Sequence, residues 1–250
     1  MLRKKFIQRN LLGPWRTGTT LGTLRRLPSF VRDWWTFRRS GGEGARVHDW
    51  FLQLHDRTAT TAFDPHYFYQ SAWVARKISS TPRLRVHVDV GSQIELLGPL
   101  SAFVPVEFID IRPLQAEIPG LRCIQGSILA LPYPNCSVKS LSSLHVVEHI
   151  GLGRYGDPLD PEGSQKACAE LQRVLAKRGN LYFTVPVGRE RVEFNAHRVF
   201  APDRIPSLFS ELRLIEFSAV DDAGAFHPTA QISDFVSGEY SLGMYHFSRL

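Results

Sequence analysis

Four groups of residues in this sequence have the types and spacing to do chemistry. The first is Asp89-Val-Gly91-Ser92, followed nineteen positions after the glycine by Asp110 and Ile111. A glycine lets the backbone turn tightly and approach a ligand, and an acid at that distance can accept hydrogen bonds from both hydroxyls of a ribose. Alone, this spacing fits either a nucleotide-type cofactor site or an ordinary strand-to-helix turn. The second group, His145-Val-Val-Glu148-His149, matches the H-x-x-E-H pattern of zinc peptidases. The third, Gly151-Leu-Gly153-Arg-Tyr-Gly156, matches the dinucleotide-binding fingerprint. The fourth is Asn195, His197 and Arg198. His149 and His197 are the candidate general bases, because an imidazole exchanges its proton near neutrality, and Glu148 would orient His149 or bind an acceptor hydroxyl. The same residues could instead hold the neighbouring loops, and an ion pair to Asp157 or Asp160 would account for Arg198.

The elements around these groups decide among the chemistries. Zinc hydrolysis needs the two histidines on one face of a helix. Here the pattern ends an apolar strand and runs into glycines, so no metal ligand set is expected. The glycine fingerprint must open a helix, which Asp157-Pro158 and Asp160-Pro161 forbid. That stretch reads as a loop shaping an acceptor pocket or holding a long connection. Apolar runs at 86–90, 106–111, 121–125, 138–147, 181–187, 212–220 and 244–248 predict strands. Helices are predicted over 47–54, 65–78, 93–103, 164–176 and 202–209. Asp64-Pro65 is an N-cap with proline at the first helical position, and Phe68, Ala72, Ala75 and Ile78 share a face. Gly179 is expected to take the left-handed position that closes the helix before it. Alternating strands and helices imply an α/β, doubly wound sheet.

The charge is unevenly placed. Residues 1–40 hold ten Lys/Arg against one acid, Asp33, a net +9 in a chain of net +6. The rest of the chain is therefore −3. Trp15, Phe30, Trp34, Trp35 and Phe37 are interleaved with those cations. Such a segment suits an anionic membrane surface, with nucleic acid the weaker partner, unless it is a partly disordered leader or a helix packing its aromatics on the domain. The Ser40-Gly41-Gly42-Glu43-Gly44 joint places the expected division between a tail, 1–45, and a folded domain, 46–250. The three widely spaced cysteines, Cys123, Cys136 and Cys168, argue against a disulfide framework and fit a reducing compartment. With no apolar stretch of roughly 18 residues and no apolar run after the basic start, a cytoplasmic protein is expected, docked peripherally if the tail meets a membrane.

The order of elements from Val86 onward resembles a class I S-adenosylmethionine (SAM)-dependent methyltransferase. The residues that carry the resemblance are VDVGS at 88–92, EFIDIRP at 107–113, GSILALPYPNCSVKSLSSLHVVEHI at 126–150 and ELQRVLAKRGNLYFTVPVG at 170–188. More narrowly, EHIGLGRYGDPLDPEG and VEFNAHRVF resemble a bacterial branch found near glycan-assembly genes. The resemblance implies a Rossmann-like sheet of seven strands, mostly parallel, with an antiparallel C-terminal strand. It also implies SAM as cofactor and a small-molecule, sugar or glycan-precursor acceptor. By motif position, Asp89, Gly91 and Ser92 would face the methionine end, Asp110 the ribose hydroxyls, and Ile111, Ser127 and Ile128 the adenine. Leu144 and His145 would close the site. The pattern departs from the family where Gln93, Glu95, Ser127 and Lys139 replace its later glycines and acids. A non-catalytic SAM-fold binding or assembly protein, and an NAD-dependent enzyme, are therefore the alternative readings.

Overall fold

The computed structural model describes residues 25–250 apart from 55, 56 and 113. The first 24 residues, and with them most of the basic tail, lie outside the described residues. The chain divides into two compact units, Met1–Phe63 and Asp64–Leu250.

In the first unit, helix α1 (Leu27–Arg39) is followed by one 3-10 turn, Val47–Asp49. The helix predicted over 47–54 does not form. The ring of Trp50 is drawn instead against Phe30 and Trp34, each 5.3 Å away edge to face, and its backbone is extended.

The second unit opens with α2 (Pro65–Ser79), capped as expected: Asp64 Oδ1 accepts from the backbone N–H of His66 at 2.9 Å and of Tyr67 at 3.3 Å. Its buried face differs from the expected one. Gln70, Trp73, Val74 and Ile78 are buried while Phe68 is 57% exposed. The helix is rotated because Gln70 accepts from the buried Thr184 hydroxyl at 2.6 Å and Trp73 packs edge-on against Tyr182.

The elements that follow are β1 (His87–Val90), α3 (Ile94–Ser101), β2 (Val106–Asp110), β3 (Leu121–Gln125) and β4 (Val138–Leu144). Then come α4 (Gly163–Val174), β5 (Leu175–Val187), β6 (Arg191–Glu193), β7 (His197–Val199), α5 (Arg204–Leu208), β8 (Arg213–Val220), β9 (Phe226–His227) and β10 (Ser241–Ser248). The main sheet runs β3-β2-β1-β4-β5-β10-β8-β9. β10 is antiparallel to both β5 and β8, as expected for the C-terminal strand. The sheet has eight strands and not seven, because the two-residue β9 pairs along β8. β6 and β7 form a separate ribbon that no apolar run announced.

Alternation along the central strands buries both sheet faces. Leu181, Phe183 and Val185 of β5 join one apolar cluster with α4 and α5, and Tyr182 joins another with α2 and α3. Helix α4 ends at Val174, and the left-handed residue after it is Arg178, not Gly179. Gly179 is needed for closeness: a Cβ there would stand 2.8 Å from Ala176 O and 3.0 Å from Val138 O. The strand order reverses between β1 and β4, which opens a crevice at the carboxyl ends of both.

Candidate functional site

Two adjoining pockets, of about 90 and about 430 Å³, lie in that crevice and share Gly91, Asp110, Arg112, His145, His149 and Tyr155. Together they reach the size of small-molecule sites. Ile111, Gly126 and Ile128 line the smaller one; Ser92, Gln93, Ile94, Glu95 and Leu144 line the larger.

The turn after β1 is set by a buried polar chain between β1 and β4. Ser142 Oγ donates to Asp89 Oδ2, so it must accept from His87 Nε2–H at 2.8 Å. His87 Nδ1 is then free to accept from Ser140 Oγ, also at 2.8 Å. The other Asp89 oxygen accepts from Ser92 N at 3.1 Å, and Ser92 Oγ accepts from Leu144 N at 3.0 Å. Burial pushes the Asp89 carboxyl up to about 6 despite hydrogen bonds from Ser142 and Ser92, and holds the His87 imidazole down to about 3. Asp89, expected at the methionine end, therefore faces the sheet and positions the loop. Gly91 has φ +72, and a Cβ there would meet Val146 Cγ1 at 3.0 Å.

Asp110 ends β2 at the cleft. Its Oδ1 accepts from Arg112 N at 2.7 Å, and no hydrogen bond among the described residues reaches Oδ2. That leaves a carboxylate oxygen for a ligand hydroxyl. Ser127 does not line the cleft: its Oγ accepts from Leu129 N at 3.2 Å, and Gly126 stands at the edge in its place. Tyr155, a rim residue unmarked in the sequence, spans the opening. Arg112 lies over its ring at 4.4 Å, Arg154 at 5.1 Å, and His149 meets it edge-on. The glycine-rich stretch that carries Tyr155 is a loop, as expected; the next helix begins at Gly163.

The end of β4 gathers titratable groups. His145 holds a left-handed backbone, φ 57, fastened by its N–H to Thr184 Oγ1 at 3.1 Å. Non-glycine residues held there cluster at functional sites. Its Nδ1 lies 2.6 Å from Glu148 Oε1, while His145 Nε2 and Glu148 Oε2 are buried without partners. Such orphaned polar atoms are rare enough in a folded protein to call for an explanation. Burial would raise the Glu148 carboxyl, but His145 and His149 beside it hold it below the usual range.

His149 lines the cleft. Its Nδ1 lies 2.6 Å from Ala196 O and its Nε2 3.7 Å from Glu148 Oε1, and burial lowers its pKa. A single 3-10 turn, Val147–His149, places Glu148 between the two histidines, which an extended strand through 147 could not do. His197 sits on β7, one layer behind the cleft lining, its ring 6.4 Å from that of His149. Its Nε2 is 3.1 Å from Glu193 Oε2 without the alignment of a hydrogen bond. Sequence reasoning missed His66, Tyr67 and Tyr240. His66 stacks between His145 and Tyr240 at 5.5 and 5.3 Å, and burial lowers its pKa to about 4. Arg198 makes no ion pair with Asp157 or Asp160; its guanidinium donates to Ile150 O at 2.7 Å and more distantly to Glu148 O and Pro161 O. It pins the loop by carbonyls because Lys166 takes Asp160 and the N–H groups of Gly151 and Tyr155 take Asp157.

The fold is the α/β Rossmann-like methyltransferase fold. The [4+2]-cyclase SpnF superposes with a TM-score of 0.55 at 12% identity, over 86% of this chain and 91% of its own. A putative sarcosine dimethylglycine methyltransferase from Galdieria sulphuraria gives 0.52 at 16% identity, over 72% and 84%. The 1,6-didemethyltoxoflavin-N1-methyltransferase of Burkholderia thailandensis, solved with bound 1,6-didemethyltoxoflavin and S-adenosylhomocysteine, gives 0.51 at 13%, over 92% and 88%. At these identities the likeness is one of fold, and a cyclase among the neighbours shows that the fold alone leaves the reaction open. Residues 135–233 match a family described as Caenorhabditis protein of unknown function, DUF268. No curated protein matches the sequence.

Proposed function

We propose that this chain is a SAM-dependent methyltransferase acting on a neutral hydroxyl-bearing acceptor, of which a sugar or glycan precursor is one form. The observation that carries the reading is Asp110. It stands at the switch point of a methyltransferase fold, at the tip of β2, with one carboxylate oxygen facing the cleft and unused by the protein. Ile111 and Ile128 offer apolar walls for a purine, and Gly91 admits a ligand close to the backbone. The bound cofactor would supply an activated methyl group, so the protein's own task is positioning and proton removal.

On the acceptor side, His145 is better placed than His149 or His197 to take the proton. Its Nδ1 is held by Glu148, which directs the free Nε2 lone pair away from the carboxylate. Glu148 then acts by orienting that imidazole and balancing the charge it gains. The buried carboxylate disfavours an anionic acceptor.

A second reading, cofactor binding without transfer, is favoured by Gln93. It occupies a slot where the family carries glycine, and its amide is committed to Ser71 Oγ at 2.6 Å. Calorimetric titration of the full chain with SAM, and separately with NAD, tests the first step: SAM should bind and NAD should not. Absence of SAM binding by folded protein would sink the enzyme reading. Binding without any S-adenosylhomocysteine formed in the presence of a cell extract would favour the second.

A further inference from the structure

The first unit presents a surface that the cleft does not explain. One side of α1 is closed by the segment after it: Phe30 and Trp34 pack against Trp50, and Trp34 Nε1 donates to Ala45 O at 3.1 Å. Helical spacing puts Val31, Trp35 and Arg39 on the other side in successive turns, with Arg32 and Arg38 flanking them. No residue of α1 is buried, and Trp35 is 49% exposed. The local acid is consumed: Asp33 pairs with both Arg32 and Arg57, at 3.2 and 3.4 Å. Among the described residues no carboxylate pairs with Arg38 or Arg39, whose guanidinium groups lie over Trp34 and Trp35 at 5.2 and 5.4 Å. An exposed indole is thus framed by unneutralised cations, on a stretch whose first 40 residues carry +9.

We propose that the Val31–Trp35 face of α1, with Arg32, Arg38 and Arg39, docks the protein peripherally on an anionic lipid surface. The charge is complementary to phosphate headgroups. An indole suits the depth where the apolar and wet layers of a bilayer meet, and arginine stems can lie along acyl chains while their heads stay among phosphates. Nucleic acid shares the charge complementarity but gives no role to the apolar Val31 beside the indole, and the RNA arm of the test separates the two. No helix among the described residues is long and apolar enough to cross a membrane, so this contact lies on the surface and does not span it. The inference is independent of the methyltransferase reading.

The test is co-sedimentation of the full chain with vesicles of phosphatidylcholine, alone and with about one third phosphatidylglycerol. The protein should bind the anionic vesicles, lose binding as salt is raised, and bind the neutral ones weakly. The variant Trp35→Ser/Arg38→Gln/Arg39→Gln should bind them roughly 10- to 100-fold more weakly. All three side chains are exposed, so its melting temperature and SAM titration should match the parent's, which separates lost docking from misfolding. No binding of the parent to anionic vesicles would overturn the proposal. So would equal binding of the variant, which would shift the attachment to another stretch, or binding to single-stranded RNA that the three substitutions weaken while vesicle binding persists.

Discussion

The two halves of the cleft are built on different principles. The half beside β1, β2 and β3 uses backbone geometry and one ligand-facing acid: a left-handed glycine, apolar walls, and Asp110. Its supporting polar chain, from Ser140 through His87 and Ser142 to Asp89, is satisfied from end to end. The half beyond β4 is crowded with side chains that titrate, His66, Tyr67, His145, Glu148, His149 and Tyr240, on a non-glycine left-handed turn with orphaned buried atoms. A cofactor of fixed shape can be held by a generic and fully satisfied frame. On the proposed reading the other half meets the acceptor, and a reacting acceptor needs groups left unsatisfied until it arrives, such as His145 Nε2 and Glu148 Oε2.

The comparison can be broken most severely through the satisfied half. Ser142→Ala leaves both the His87 Nε2–H and Asp89 Oδ2 without a partner, and should destabilise the protein by about 3 kcal/mol. Urea denaturation would show it as a lower midpoint at unchanged slope. An effect within experimental error would mean that this polar chain does not hold β1 to β4.

Acid should act on the same network. His87 is held neutral to about pH 3, so between pH 6.5 and 3 the unfolded chain binds a proton that the folded one refuses. Stability from this source is complete above 6.5 and is lost as pH falls. His66 and His246, each lowered to about 4 chiefly by burial, act in the same direction. Asp89 acts oppositely: its folded value of about 6 exceeds the ordinary 3.8, so the folded form binds the extra proton and stability falls as pH rises through that window. Three imidazoles outweigh one carboxyl. The expected outcome is a net loss of about 3–5 kcal/mol between pH 6.5 and 4.5, read from urea midpoints. Asp89→Asn should steepen that loss, and a flat or inverted profile would contradict the assignment.

Smaller effects sharpen the division of labour. Asp110→Ala should weaken SAM roughly 10- to 100-fold while costing only about 1 kcal/mol of stability, because the one fold contact it removes is the Oδ1 acceptor of Arg112 N. Retained affinity in the titration would remove Asp110 from the ribose site. Tyr155→Ala removes a ring held by two guanidinium groups at the rim, worth about 0.5–1 kcal/mol at an exposed site. SAM affinity should therefore drop only about three-fold by the same method, and a far larger loss would place Tyr155 inside the cofactor site.

Much of the frame was legible because local rules carry it. Apolar runs of strand length and the Asp64-Pro65 cap concern neighbours in sequence, and most were found where expected. The fifth strand begins at Leu175, where the helix was expected to run on to 176, and the fourth ends at Leu144 and not 147. The antiparallel C-terminal strand, which followed from the family resemblance, was found as expected. The half beyond β4 was legible only in part. His145, Glu148 and His149 stood out by type, but their arrangement depends on a 3-10 turn that the apolar run through Val147 masked. His66, Tyr67, Tyr155 and Tyr240 carried no signal, since a lone ring has no period and its partners lie far along the chain.

The sequence by itself determined the alternation of elements and hence the doubly wound class, and the acid near the end of the second strand. Periodicity and turn chemistry act over a few residues, and those features need nothing more. Only the tertiary structure decided that Asp89 faces the sheet, that Gln70 and not Phe68 turns inward, and that Arg178 takes the left-handed turn expected of Gly179. It also decided that His145 lies on Glu148 with its second nitrogen free. The first three are choices between nearly equal local conformations tipped by contacts distant in sequence; the fourth is a contact three residues on, on a turn that Thr184 fastens from β5.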